Sequence, residues 1–373
     1  MKITKFFALL CAATVGFVGC EEKPAPTPEP APEPQGSITL SVDQTAIELG
    51  DSVTFTVTDS EGNDVTSAAS IYNQDLDKVS NPYTPAASGN YTFNATIGAE
   101  NSNNVTVTVM AEMPEVPTDP DKDNLAFNHR AIIIDHTGVN CGYCPSVIDV
   151  FRSLAQTDAH EHYNEVQVHA GGYANGDPAY SQAASEVNKF FSPQGYPDVR
   201  LNFYTGQPQS RSVQGFTNIL MSYIKKDGAD AGISMALEGD STCIYCAAQI
   251  KSAKSQEYKV VAWLLESGIY SPNQSGATKD YHKIYNYALR NISGTYSKNN
   301  IQGESIGVLA EGETHDCAFM LPIISNTWKW ENMGVLVIVS AQDAQGRWEI
   351  VNSAYCKVGE SKPYEYWVED VVE

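Results

Sequence analysis

The chain has 373 residues, which at roughly 100–200 residues per domain predicts two to three domains. Its hydrophobic fraction of 42% supplies material for real cores and excludes wholesale disorder. The formal net charge is -22, from 45 acidic against 23 basic residues, and a chain this acidic repels phosphate backbones. Nucleic acid is therefore excluded as a class of partner.

The N-terminus has the pattern of an export signal. Lys2 and Lys5 form a positive segment, and the apolar stretch 6–18 that follows is too short for a membrane-spanning helix. Later apolar runs do not approach the ~18–20 residues that a span requires. We therefore expect residues 1–19 to be removed on export.

The end of this signal reads Gly-Phe-Val-Gly-Cys over residues 16–20 and resembles the lipobox of bacterial lipoproteins. The resemblance implies that Cys20 becomes the first residue of the mature protein and is acylated, with the lipid bilayer as partner. An ordinary secretory signal is the alternative. Glu21 and Glu22 resemble the surface-export signal of some Gram-negative lipoproteins.

Proline at every second position from 24 to 34 predicts an extended stalk over residues 20–36.

Residues 37–110 alternate between apolar side chains and Thr or Ser, as in the segments 53–57 and 105–109. Alternation with a period of two, interrupted by turn residues, predicts short antiparallel strands. We expect an immunoglobulin-like β-sandwich that acts as a spacer, with an adhesive module as the alternative.

Residues 111–124 are proline-containing and predict a linker. Their alternating aspartates lack the glycine and the bidentate acid of a calcium loop, so no metal site is predicted.

The stretch 125–228 contains the strongest chemical motif. The continuous apolar run 131–134 predicts a buried strand, and apolar residues at helical spacing follow Cys141 and Cys144. The C-x-x-C pair is thus predicted at a strand-to-helix junction. At a helix N-terminus Cys141 would favour the thiolate form, the nucleophile in disulfide exchange, and Cys144 would resolve the mixed disulfide.

Two further positions make this stretch resemble the thioredoxin superfamily. Asp135 stands six residues before Cys141, and Pro197 lies in a Gly-Tyr-Pro-Asp turn ahead of a strand-like segment. The resemblance implies a central thioredoxin-like α/β domain in which Asp135 assists proton transfer and Pro197, in a cis peptide bond, positions a substrate chain. The residues flanking and separating the cysteines depart from the thioredoxin pattern, which leaves the redox direction open.

Two alternatives to catalysis remain for the C-x-x-C pair. One is a structural disulfide in a domain used for binding. The other is a zinc site that adds His136 and His169, which is disfavoured because the proline loop of thioredoxins normally occupies the position of the metal.

Residues 229–373 carry strand-like segments separated by loops rich in Ser, Asn and Gly, which predicts a second, larger β-sandwich. Four cysteines fall in this region, at Cys243, Cys246, Cys317 and Cys356. In an exported β domain an even count favours two disulfides over a zinc site. Positions i and i+3 of a strand lie ~10 Å apart on opposite faces, so we expect the first two cysteines to pair with the last two.

The order of lipobox, C-x-x-C domain and C-terminal β domain resembles the outer-membrane-protein-28-related family of bacterial surface lipoproteins. The matching positions are residues 137–138, 141–145, 196–197 and 281–283. The resemblance implies an outer-membrane location and a fold, and it says less about an activity. It implies no cofactor.

Two functions follow from these predictions. One is thiol–disulfide exchange on envelope or surface proteins through Cys141 and Cys144. The alternative is a non-catalytic surface binding or scaffold lipoprotein in which the same pair only stabilises the fold, with surface ligands as partners.

Overall fold

The computed structural model describes residues 38–110, 113–203, 212–294 and 301–367. The predicted signal peptide, the predicted acylation site Cys20 and the predicted proline stalk lie outside these residues. Contacts between Cα atoms divide the chain into two compact units. The first holds the described residues up to 43 together with 54–83 and 92–106. The second holds 44–53, 84–91 and everything from 107 onward.

Strands form in the alternating segments of the N-terminal region, as their period of two predicts, and also in three short segments between them that were not predicted. They are β1 (Ile38–Val42), β2 (Ala46–Glu48), β3 (Phe55–Asp59), β4 (Ser70–Tyr72), β5 (Gly89–Ile97), β6 (Glu100–Asn101) and β7 (Val105–Met110). Strands β1 and β3 form one antiparallel sheet, and β2-β7-β5-β4 form a second, with β6 paired to β5. The rings of Phe55 and Phe93 lie 4.8 Å apart and pack the two sheets together.

Three strands and all three α-helices of the described residues fall in the stretch that contains the C-x-x-C pair. They are β8 (Ala131–Thr137), α1 (Pro145–Leu154), β9 (Tyr163–His169), α2 (Gln182–Phe191), β10 (Asp198–Leu201) and α3 (Val213–Tyr223). Every residue of β8 is buried, as its apolar run predicts. Strand β8 lies parallel to β9 and antiparallel to β10.

The remaining strands follow without further α-helices in the described residues. They are β11 (Ala231–Gly239), β12 (Cys243–Ser252), β13 (Gln256–Glu266), β14 (Ile269–Tyr270), β15 (Ile284–Tyr285), β16 (Ala288–Ile292), β17 (Glu304–Leu309), β18 (Thr314–Pro322), β19 (Met333–Gln342), β20 (Trp348–Lys357) and β21 (Ser361–Lys362). Four of them form the sheet β18-β12-β11-β21, and β14 pairs with β15.

The predicted fold class is wrong in its central part, because no separate thioredoxin-like α/β domain is seen in the described residues. Strands β8, β9 and β10 form one end of an eight-stranded mixed sheet, in the order β10-β8-β9-β16-β13-β19-β20, with β17 also paired to β13. The junction is the parallel pairing of Gln167 with Ala288. The predicted boundary between residues 228 and 229 therefore does not separate two compact units.

The large sheet is covered on both faces, which explains its nearly continuous apolar strands. On β13, Val260, Ala262 and Leu264 pack in a core shared with β11 and β12 of the four-stranded sheet. Their neighbours Val261, Trp263 and Leu265 pack in a core shared with α2. At the other end of the sheet, α1 and α3 pack on β8. Fully burying one large apolar side chain stabilises the fold by about 1.5–3 kcal/mol.

Part of the predicted linker 111–124 is fixed in place by a buried lysine. The side chain of Lys251 is 3% exposed, and its Nζ lies 2.9 Å from the Asp119 carboxylate. The same ammonium donates to the Lys122 carbonyl at 2.6 Å and lies 5.8 Å from the centre of the Phe127 ring. A buried charge must be paired to be tolerated, so these contacts fix the segment within the second unit.

Candidate functional site

The C-x-x-C pair lies in the connection between β8 and α1, as its sequence position predicts. Cys141 and Cys144 form a disulfide. The turn before it needs Gly138, since a Cβ there would lie 2.5 Å from the carbonyl oxygen of Tyr173. The helix, however, begins at Pro145 with Cys144 as its N-cap. The positive end of the helix dipole therefore lies at Cys144, and the expectation that it acts directly on Cys141 is wrong.

A segment from the β14–β15 connection covers this disulfide. Gln274 Nε2 donates to the carbonyl of Cys141 at 3.1 Å, and the backbone N–H of Ser275 donates to the carbonyl of Val139 at 2.7 Å. Gly276 packs so closely on the carbonyl of Gly142 that a Cβ would collide with it. We call residues 274–276 the cover segment. Cys141 is 1% exposed and Cys144 is 0% exposed.

The connection that carries the cover segment is also held on the exposed side of α1. The Asp149 carboxylate accepts hydrogen bonds from Lys279 Nζ at 2.9 Å and Tyr281 Oη at 2.7 Å. His282 Nε2 lies 2.9 Å from the same oxygen. Burial alone would raise the pKa of Asp149, but the three hydrogen bonds outweigh it and hold that pKa well below its usual value. Lys279, Tyr281 and His282 therefore hold the connection against α1.

A buried polar network supports the cover segment from below. The Asp177 carboxylate accepts from the backbone of Val139 at 2.7 Å and lies 2.8 Å from His169 Nδ1. The His169 ring lies 4.4 Å from the ring of Tyr285, whose hydroxyl donates to Gln274 Oε1 at 2.8 Å. All these side chains are buried, so each hydrogen bond is expensive to break. Sequence periodicity does not reveal this network.

Asp135 lies in β8, and Pro197 directly precedes the neighbouring strand β10, both at the end of β8 from which the C-x-x-C turn leaves. Asp135 is fully buried, and neither of its carboxyl oxygens has a hydrogen-bond partner among the described residues. Burial raises the pKa of Asp135 well above its usual value, and the charges of Glu165 and Asp198 add to the effect. The Tyr196–Pro197 peptide bond is cis, as the resemblance implies.

The histidines considered as zinc ligands have protein partners instead. His136 Nδ1 lies 3.1 Å from the side-chain oxygen of Asn188, and burial lowers the pKa of His136 to about 4. His169 is engaged by Asp177, as described above. A neighbouring acid that the sequence analysis did not single out is Glu165, where burial raises the pKa to about 7.

We expect Asp135→Asn to raise the stability of the protein at neutral pH. A carboxyl whose pKa is higher in the folded state binds more protons there, so folding stability falls as pH rises above the unfolded pKa. The near-isosteric amide removes this ionisation, and the variant should lose less stability than the wild type between pH 4 and pH 7. Urea unfolding at a series of pH values measures the effect. A proton-relay role with an ionised Asp135 predicts the opposite pH trend.

The four C-terminal cysteines are free thiols in the structure, which contradicts the expectation of two disulfides. Cys243 and Cys246 lie on opposite faces of the regular strand β12. Cys246 pairs across the sheet with Phe319, so Cys317 is its diagonal neighbour, at a separation of about 7–8 Å that a disulfide does not span. Cys356 lies on β20, in the other sheet, and packs in the same core as Cys246 without a bond to it.

We expect these four thiols to react only after unfolding. Burial raises the pKa of Cys243 and of Cys356 to about 11 and that of Cys317 to about 12, so the reactive thiolate is scarce at neutral pH. Maleimide labelling of a chain that begins after Cys20 should count four thiols in denaturant and six after added reductant. A count of two or none without reductant would show that disulfides form among the four.

Residues 184–362 match the family model described as outer membrane protein Omp28. The match supports a relationship with the Omp28 family. It also confirms the predicted location at the outer membrane. Among the described residues, no helix is both long and apolar enough to cross a bilayer.

Solved structures that overlap with this chain include the following two. HBP35 of Porphyromonas gingivalis overlaps with a TM-score of 0.50 and 16% identity, covering 66% of this chain and 80% of that chain. At this identity the likeness concerns the fold alone. A β-glucosidase from Kluyveromyces marxianus overlaps with a TM-score of 0.18 and 11% identity, over 37% of this chain and 15% of that chain, which carries no argument. No curated protein matches the sequence.

Proposed function

We propose that the protein is a surface binding or scaffold lipoprotein of the outer membrane, in which the Cys141–Cys144 disulfide stabilises the fold. The observation that carries the proposal is the burial of both cysteines beneath the cover segment. Disulfide exchange requires an incoming thiolate to reach a sulfur atom in line with the bond. With both residues at most 1% exposed, a protein thiol has no approach to either sulfur unless the cover segment moves.

The disulfide has a structural use in this position. It closes the turn from which α1 begins, and α1 supplies Asp149, the anchor of the covering connection. The disulfide and the covering connection therefore both stabilise the turn that precedes α1. In the chain-entropy model, closing such a short loop contributes about 2 kcal/mol.

The accessibility of the disulfide tests this proposal. In the native protein, dithiothreitol should reduce Cys141–Cys144 much more slowly than in denaturant, and its reduction potential should lie below about -300 mV, in the range of structural disulfides. Mass spectrometry of alkylated peptides follows the reaction. A native disulfide that is reduced as fast as the unfolded one, together with mixed disulfides trapped on Cys141 by Cys144→Ser, would favour exchange activity.

The membrane anchor is the second part of the proposal. The Gly-Phe-Val-Gly-Cys sequence ending at Cys20, the two glutamates after it and the proline stalk support acylation of Cys20 and attachment to the bilayer. Cys20→Ala should release the protein from the membrane fraction, because a protein without acyl chains keeps no firm anchor. Persistence of the unacylated variant in the membrane fraction would contradict the anchor.

A further inference from the structure

A groove of about 370 Å³ lies at one end of the large sheet, in the second compact unit. It is formed where β13 ends, β16 and β19 begin, and β20 ends. The residues that line it are Ser267, Gly268, Asn286, Tyr287, Glu331, Asn332, Met333, Tyr355 and Lys357. Its size falls at the lower end of the range for small-molecule sites.

The groove carries polar groups that have no partner among the described residues. Within the described ranges, no hydrogen bond or ion pair engages the side chains of Glu331, Asn332 or Lys357, all of which are exposed. The hydroxyls of Tyr287 and Tyr355 are also without a protein partner in the part of the chain that the structure describes. A small volume thus presents a carboxylate, an amide and an ammonium group to solvent, beside the partly buried rings of two tyrosines that also pack on the core of the sheet.

The backbone at Tyr287 fixes the position of the aromatic rings in the groove. The rings of Tyr287 and Tyr355 meet edge to face with their centres 5.4 Å apart. Tyr287 has a φ of 54°, in the left-handed region that non-glycine residues adopt at a cost of about 1–3 kcal/mol. Its N–H donates to Ser267 Oγ at 3.0 Å, and its carbonyl accepts from Gln167 at 2.9 Å. These bonds fix the strained residue and therefore the position of its ring.

We propose that this groove binds a neutral saccharide unit of a glycan. A sugar ring combines a flat patch of C–H groups, which packs on an aromatic ring, with hydroxyls that both donate and accept hydrogen bonds. Tyr287 and Tyr355 supply the aromatic surface, and Asn332 and Glu331 supply an amide and a carboxylate for the hydroxyls. The single acidic and the single basic side chain balance each other, which favours a neutral sugar over an anionic one.

This inference rests on the proposed surface-binding function and names the class of ligand. Surface location brings the groove into contact with extracellular or envelope glycans. It makes no use of the Cys141–Cys144 disulfide, so the reduction experiment and the glycan experiment succeed or fail separately.

The test uses the protein without its lipid signal, from residue 21 onward, on an array of neutral and uronic-acid oligosaccharides. Isothermal titration with the neutral oligosaccharide that gives the strongest array signal follows. Tyr287→Ala should weaken this binding at least about tenfold and Asn332→Ala at least about fivefold, while Tyr287→Phe, which keeps the ring, should retain most of it. Tyr223→Ala, at an exposed tyrosine on α3, is the control and should bind like the wild type.

Each outcome decides the proposal once circular dichroism has shown that the variants are folded. Loss of binding in Tyr287→Ala and Asn332→Ala but not in Tyr223→Ala supports it. Binding that is unchanged in both groove variants overturns it, as does a strict preference for uronic acids. No binding to any array glycan also overturns it, and leaves the surface-binding function to be judged by the disulfide and membrane experiments.

Discussion

Replacing Gly276 by Ala should uncover the disulfide and raise its rate of reduction by dithiothreitol at least about tenfold in the native protein. The added Cβ would collide with the backbone carbonyl of Gly142, and the positive φ of 71° disfavours any side chain. Neither backbone segment can yield like a flexible side chain, so the cover segment must move away. A local destabilisation of about 1.4 kcal/mol multiplies the population of the open form by ten.

A second glycine separates this local effect from general destabilisation. Gly312, in the turn before β18, has a similar φ of 77° but open space around the position of a Cβ. Gly312→Ala should lower the overall stability by about 1 kcal/mol through the backbone alone, without changing the rate at which the disulfide is reduced. Equal reduction rates in Gly276→Ala and the wild type would show that the cover segment does not protect the disulfide.

The strand and the helix around the C-x-x-C pair were predicted correctly from the sequence, because the patterns that indicate them are local. The apolar run from Ala131 marked β8, the helical spacing after Cys144 marked α1, and Pro197 lies in a cis peptide bond. Alternation likewise located β1, β3, β5 and β7 of the N-terminal region, whereas the short strands β2, β4 and β6 were not predicted. These patterns depend on neighbours within a few residues of each other.

The predictions that were wrong concern contacts between residues that are distant in the chain. The pairing of Gln167 with Ala288 extends the strands of the supposed α/β domain into the C-terminal sheet, and no periodicity signals a contact across some 120 residues. Gln274 and Gly276 cover a disulfide more than 130 positions earlier, and only their place in a loop was visible in the sequence. The prediction of two disulfides among the C-terminal cysteines failed for a related reason. Disulfide formation depends on the register of the strands and not on an even number of cysteines.

The groove is a further case in which the sequence carries little signal. Tyr287, Glu331, Asn332 and Tyr355 come from three separate connections and strand ends, and none stands in a motif. Tyrosine in a β protein is more often a packing residue than a ligand contact. Only the unpaired hydroxyls, and a backbone strained at Tyr287, distinguish these residues in the folded chain.

Arg290→Met should destabilise the second unit by about 3–5 kcal/mol, since it leaves the buried carboxylate of Glu266 without its counter-charge. The two side chains are 2% and 4% exposed, and Nε lies 2.7 Å from Oε2. The same guanidinium donates to the carbonyl of Pro178 at 3.0 Å and lies 5.2 Å from the centre of the Trp328 ring. The variant thus also loosens the segment before α2 from β16. Urea unfolding followed by tryptophan fluorescence measures the change.

Two controls show whether the buried charge causes this loss. The double variant Arg290→Met with Glu266→Leu removes both charges and should recover part of the stability, because an apolar pair of similar volume often replaces a buried ion pair at little cost. Lys189→Met breaks an ion pair to Glu186 whose lysine side chain is 60% exposed, and should change stability by less than about 0.5 kcal/mol. If the double variant is no more stable than Arg290→Met alone, the guanidinium contributes mainly through its bonds to the backbone before α2.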